Sequence, residues 1–175
     1  MKSTQIMLRL VRIYLAIFTC SVLLGCGGDG RPSLVQATGR VTLNGEPLEG
    51  ASVSFVPVEV ADATFQRPSF ATTNAQGEFT IGTYGSEDGI PAGKYQVGIQ
   101  KREVVGALPK DFNEEEASQF RVRYKLIVPL SYRDPAASGV TVEVTSDGMQ
   151  PAVIELNSSG NPEFETTGPG GGTDV

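Results

Sequence analysis

The chain has 175 residues, with 14 Lys+Arg against 20 Asp+Glu, two Cys, no His and no Trp, so one domain of ordinary size is expected. Without histidine there is no Ser-His-Asp or Cys-His nucleophile system and no imidazole ligand for zinc or haem. The formal charge of −6 argues against nucleic acid as a partner, because neutralising phosphates takes a surplus of Lys and Arg.

Lys2, Arg9 and Arg12 open the chain without an acidic residue and precede a mostly apolar run, Ile13 to Leu24. That order predicts a secretory signal peptide over residues 1–25. The run is too short to cross ~30 Å of hydrocarbon, which takes about 20 residues. Loss of 1–25 removes three cations and no anion, leaving 11 against 20 and a formal charge of −9.

The segment ends in Leu23-Leu24-Gly25-Cys26-Gly27, which resembles the lipobox of bacterial lipoproteins. The resemblance implies that Cys26 is acylated and becomes the first mature residue of a membrane-anchored envelope lipoprotein, facing the periplasm or the exterior. The chemistry is consistent: a thiolate takes up the lipid, and small Gly25 lets a peptidase approach. Cys20 leaves with the peptide, so no disulfide is expected. One myristoyl chain holds only marginally, whereas several acyl chains bind nearly permanently. Residues 26–34, with the loop-like Gly27 to Ser33, are expected to form a flexible tether.

From Val35 the period is two. Val35, Ala37, Gly39, Val41 and Leu43 alternate with polar residues, and Asn44-Gly45 tolerates the positive φ of a hairpin turn. A second strand is expected from Ala51 to about Pro57, and Phe70 to Asn74 forms a third. Asn74-Ala75-Gln76-Gly77 turns into Phe79 and Ile81. Asp88 to Gly93 turns into Tyr95, Val97 and Ile99. Val140, Val142 and Val144 alternate in the same way, and Ala152 to Leu156 closes the series. At least seven short strands with Gly/Pro-rich turns predict an all-β, antiparallel β-sandwich over 35–156, its two half-apolar sheets facing each other across ~10 Å.

Three stretches, Gly39 to Phe55, Thr73 to Phe79 and Ile90 to Tyr95, resemble the carboxypeptidase regulatory-like domains of the transthyretin-like, or prealbumin-like, sandwiches. The likeness covers about Gln36 to Lys101 and implies a fold more than an activity. Enzymes of the wider group rely on histidines that are absent here.

The stretch 102–139 is too long for a simple hairpin connection and reads as an insertion. Asn113 followed by Glu114, Glu115 and Glu116 predicts an N-capped short helix to about Phe120. Val122, Tyr124, Leu126 and Val128 then alternate with Arg121, Arg123 and Lys125, which predicts an added strand with a basic stripe. Tyr132-Arg133-Asp134-Pro135 should turn the chain. Residues 157–175, rich in glycine, are expected to be a disordered tail.

The basic stripe, Arg121, Arg123 and Lys125, is the candidate contact for an anionic envelope protein or glycan. Edge-protecting charges are its plainer reading. Glu87-Asp88 with Asp134 could converge on a cation, although an ordinary polar turn accounts for them. Tyr84, Tyr95, Tyr124 and Tyr132 could stack on sugars, with Tyr95 and Tyr124 on inward faces. No metal site, cofactor or catalytic residue is expected. The function these features favour is a non-catalytic, lipid-anchored module for protein or glycan contact. The alternatives are a carbohydrate-binding module and a glycoside hydrolase, the latter needing two carboxyl groups about 5–9.5 Å apart.

Overall fold

Residues 30–60 and 66–174 are described by the computed structural model; the signal peptide, the lipobox-like stretch and Cys26 lie outside them. The first hairpin turn among the described residues is Asn44-Gly45, where φ is +53° and +87°. It folds β2 (Thr38–Leu43) back on β3 (Glu46–Pro47). Ahead of it, β1 (Leu34–Val35) pairs with β7 (Ile90–Pro91), so the stretch expected as tether ends in a strand pair at Leu34.

β4 (Ser52–Val60) runs three residues past the expected end at Pro57. Its neighbour β5 (Ser69–Thr72) pairs only with Ser52 to Phe55, so among the described residues no strand bonds that side of β4 from Val56 onward and a proline without an N–H is tolerated there. β8 (Gly93–Gln100) takes the other side, with an irregularity between Pro57 and Glu59. β11 (Thr141–Thr145) and β12 (Gly148–Gln150) complete a five-stranded sheet in the order β12-β11-β8-β4-β5.

In a second sheet β2 is central. β13 (Val153–Leu156) lies along one side of it, and β3 and β6 (Glu78–Thr80) share the other. The pairing of β13 with β2 is parallel, a departure from the all-antiparallel expectation. It arises because the chain crosses from the first sheet to the second after Gln150, and the Arg40 N–H is met by Ala152 O at 2.9 Å.

Side chains from both sheets fill one core. Val53, Phe55, Tyr95, Val97, Ile99, Val142 and Val144 come from the first, and Val41, Phe79, Ile154 and Leu156 from the second. Phe55 and Phe79 meet across it with ring centroids 5.8 Å apart. Tyr95, delivered by the turn at Gly93, is 1% exposed and donates its hydroxyl to Pro91 O at 2.6 Å. Burial pushes its phenol up to about 12.

A third sheet, β15-β14-β10-β9, is built from the insertion and the C-terminal segment. β9 (Arg102–Val104) and β14 (Glu163–Thr167) flank β10 (Val122–Leu126), and β15 (Gly172–Asp174) pairs with β14. Two expectations change here. The residues 157–175 read as a disordered tail contain both β14 and β15, because every residue of β10 supplies a ladder partner to β14. The helix expected after Asn113 is a 3-10 segment, Glu114–Gln119, wound with the tighter i→i+3 bonds of short connectors. Asn113 Oδ1 accepts the Glu115 N–H at 3.1 Å, so the cap itself is present. Among the described residues the architecture is therefore nearly all β, arranged as several mainly antiparallel sheets.

The Phe55 ring is fully buried between the sheets, so Phe55→Ala leaves a cavity the neighbours fill only in part. Urea unfolding should show a loss of about 3–5 kcal/mol; a loss below about 1 kcal/mol would mean that the two sheets do not share this core.

Candidate contact surfaces

Alternation along the third sheet divides its side chains between two faces. Val122, Tyr124 and Leu126 of β10 share a face with Arg102 and Val104 of β9 and with Glu163 and Glu165 of β14. Val122 and Leu126 are buried, outside the main core cluster. Glu165 is the hub of this face. Arg133 donates to both of its oxygens, Nη1 to Oε1 at 2.8 Å and Nη2 to Oε2 at 3.0 Å, and Arg102 Nη1 reaches Oε2 at 2.8 Å. The Glu165 side chain is only 17% exposed. The Arg133 guanidinium, with Arg102 beside it, holds its carboxyl below the usual range. Arg102 also lies 4.1 Å over the Tyr124 ring, and Glu163 accepts the Leu130 N–H at 2.7 Å. These bonds tie β14 to the 3-10 turn Leu130–Tyr132 and the residue after it.

That turn is itself seated on the first sheet. Ser138 donates to Val97 O at 2.7 Å, and a Cβ built on Gly98 would lie 2.6 Å from Arg133 O. Glycine is needed at 98 for this close approach.

The opposite face carries the predicted basic stripe. Arg123 and Lys125 are exposed on β10, and Arg121 is exposed immediately before the strand. Arg123 stacks 4.4 Å over Phe164 of β14, so its charge sits on a ring rather than in an ion pair. Lys125 lies opposite Glu103 on one side and Phe164 on the other. Val105 and Leu108, beyond β9, are exposed apolar residues.

A second surface was not legible as a site in the sequence. Two adjoining hollows, of about 520 and 480 Å³, open where β5 and β6 part, and both are lined by Thr72, Thr80 and Glu87. Phe70, 60% exposed, lines one of them. Arg40 and Glu78 line the other, and Arg40 Nε donates to Gln76 O at 2.8 Å. Glu87 adopts φ +57°, unusual for a residue with a side chain. Its loop is fixed by Asp88, whose carboxylate accepts the N–H groups of Thr83 (2.7 Å), Tyr84 (3.1 Å) and Gly85 (2.8 Å). The Thr83 bond foremost holds the Asp88 carboxyl below its ordinary value. The Thr83 hydroxyl donates to Gly89 O at 2.6 Å, which leaves Ser69 as the donor in the 2.8 Å contact between the two hydroxyls.

The other sequence candidates have local structural roles. Asp88 caps its own loop, and Asp134 accepts the Ala136 N–H at 3.0 Å in a different turn. Among the described residues no group of three His, Cys, Asp or Glu is placed to hold a metal ion. Tyr95 is buried, Tyr124 lies beneath Arg102, and the Tyr132 hydroxyl accepts the Asn157 N–H at 3.2 Å. Among the described residues, no helix is long and apolar enough to cross a membrane. Compared with protein-family models, curated proteins and solved structures, the chain gives no match.

Because the Glu165 carboxyl is held down in the fold, its contribution is present above the unfolded value of 4.5 and lost as pH falls through the lower folded value. Glu165→Gln should cost about 1–3 kcal/mol in urea unfolding at neutral pH, since two guanidinium ions lose a charged acceptor. The gap from the parent should close below pH 4.5; a gap independent of pH would contradict the ionic role.

Proposed function

We propose that the chain is a lipid-anchored, non-catalytic module of the bacterial cell envelope that contacts an envelope protein or glycan. Its two core-sharing sheets form a sandwich resembling the carboxypeptidase regulatory-like domains. Three things support the reading: the Leu23 to Gly27 stretch with Cys26, the absence of histidine, and the side chains of both sheets meeting in one core. The observation that carries the contact role is the outer face of the third sheet. In a chain of net charge −6 it gathers Arg121, Arg123 and Lys125 beside Phe164, on strands locked from behind by Glu165. A cationic, partly aromatic face on a rigid sheet suits an anionic partner.

A hydrolase is the second reading, favoured by one observation, that Glu78 and Glu87 line the same hollow. Release of reducing ends from oligosaccharides by the purified protein, lost in Glu78→Gln, would replace the non-catalytic reading with this one.

Anchoring is tested by Cys26→Ala: the parent should fractionate with membranes, and the variant should be recovered unprocessed and without acyl chains. Full membrane retention of the variant at mature size would contradict it. Contact is tested by crosslinking in intact cells. The triple reversal Arg121→Glu, Arg123→Glu, Lys125→Glu should remove the adducts of the parent while leaving the domain folded, at a cost of about 1–2 kcal/mol from the lost Arg123–Phe164 stack and the new carboxylate opposite Glu103. Unchanged adducts would move the contact surface elsewhere.

A further inference from the structure

β5 and β6 are the two strands of one hairpin, yet each belongs to a different sheet. Phe70 and Gly82 exchange two bonds of 2.9 Å, and Asn74 donates to Glu78 O at 2.8 Å. The rung between them in the same register is Thr72 with Thr80, and it is not formed. Thr72 instead stays opposite Ser52 in the first sheet and Thr80 opposite Thr38 in the second.

Backbone groups alternate sides along a strand. The N–H and C=O of Thr72 therefore point as those of Phe70 do, toward β6. Those of Thr80 point as the Glu78 carbonyl does, toward β5. Two donors and two acceptors face an opening between the sheets, at the junction of the two hollows.

The surroundings say what kind of molecule fits. Each hollow has the volume of a small-molecule site. The lining residues are mixed in their hydrogen bonding: backbone N–H and C=O, the hydroxyl residues Thr72, Thr80 and Ser86, and the acidic Glu87. One exposed aromatic ring, Phe70, stands beside them. The charged linings are Arg40, Glu78 and Glu87, a net of one negative charge, which disfavours a polyanion. An extended peptide cannot thread the opening, because the bonds at Phe70 and Asn74 close it within four residues, about 13 Å of strand. A ligand must lie across it and reach down with single polar groups.

We propose that this groove binds an uncharged, hydroxyl-rich oligosaccharide, with a sugar ring stacked on Phe70 and its hydroxyls bonded to the free backbone groups of Thr72 and Thr80 and to Glu87. Sugar hydroxyls both donate and accept, which matches the mixed array, and a ring's C–H face suits an aromatic surface. Glu87, in the αL conformation on a loop braced by Asp88, lines both hollows, which puts the residue at their junction. This assignment rests on the reading of the chain as an envelope contact module and gives it, besides the basic face, a second site for a neutral ligand.

The test is calorimetric titration of the full chain in detergent with cellohexaose, chitohexaose and maltohexaose, with a hexauronate as the charged comparison. At least one neutral hexasaccharide should bind, and Phe70→Ala should weaken it roughly three- to tenfold. Glu87→Gly should weaken it too without lowering the melting temperature, because glycine takes that backbone conformation freely. No neutral hexasaccharide bound at millimolar concentration, binding unchanged in both variants, or a preference for the hexauronate would each overturn the proposal. If envelope crosslinks persist while glycan binding fails, the module reading stands and only the groove assignment falls; loss of both removes the two together.

Discussion

A hairpin whose strands serve different sheets must give up the rung at which they part, and that constraint organises one whole corner of this molecule. β5 follows β4 and β6 follows β2, and between the bonds at Phe70 and at Asn74 the two strands draw apart, so no Thr72–Thr80 pair forms. Everything around the break is over-determined. Asn74 Oδ1 accepts the N–H groups of Gln76 and Glu78, both at 2.9 Å, which fixes the turn below the opening. Thr73, buried, donates to Leu48 O at 2.6 Å and accepts the Ala51 N–H at 2.8 Å. Above the opening, the hydroxyls of Ser69 and Thr83 and the carboxylate of Asp88 are all used internally. The polar groups that frame the opening are satisfied, and those across it are left for something outside the chain.

The third sheet is held by different physics. Few of its side chains enter the main core, and its attachment runs through ionic and polar bonds: Glu165 with two guanidinium ions, and Glu163 with a backbone N–H. A well-shielded, bidentate pair fixes orientation as well as position. With its inner face so engaged, the sheet presents Arg123, Lys125 and Phe164 outward on a stiff support. The groove and the basic face thus differ in kind, one a mixed neutral recess, the other a cationic plane.

Much of the strand order was legible because a period of two and positive-φ turn residues are local signals. Asn44-Gly45 and Asn74 to Gly77 both mark real reversals, whereas before Gly93 and Tyr95 the chain only bends, at Ala92. What escaped was non-local. The strand Glu163–Thr167 has its own alternation, yet it lies among glycines and prolines, and its stability comes from β10 and Arg133, which no window of sequence reveals. The parallel pairing of β13 had no signature either, since it depends on a crossover between sheets. The basic stripe was readable from spacing alone, whereas its stacking partner Phe164 was not. Phe70 and Glu87 gave no sign of a shared groove, because they lie on different segments that only the folded chain brings to one hollow. Cys26 and its lipobox-like surroundings rest on the sequence alone.

The parting of the sheets at Thr72 and Thr80 is what the account depends on most, and amide hydrogen exchange reads it residue by residue. The amides of Phe70 and Gly82, bonded to each other, should be protected to near the stability of the domain. Those of Thr72 and Thr80, two residues away on the same strands, should exchange faster by about two orders of magnitude or more. Equal protection at all four amides would mean that the rung is closed, and the groove between the sheets with it.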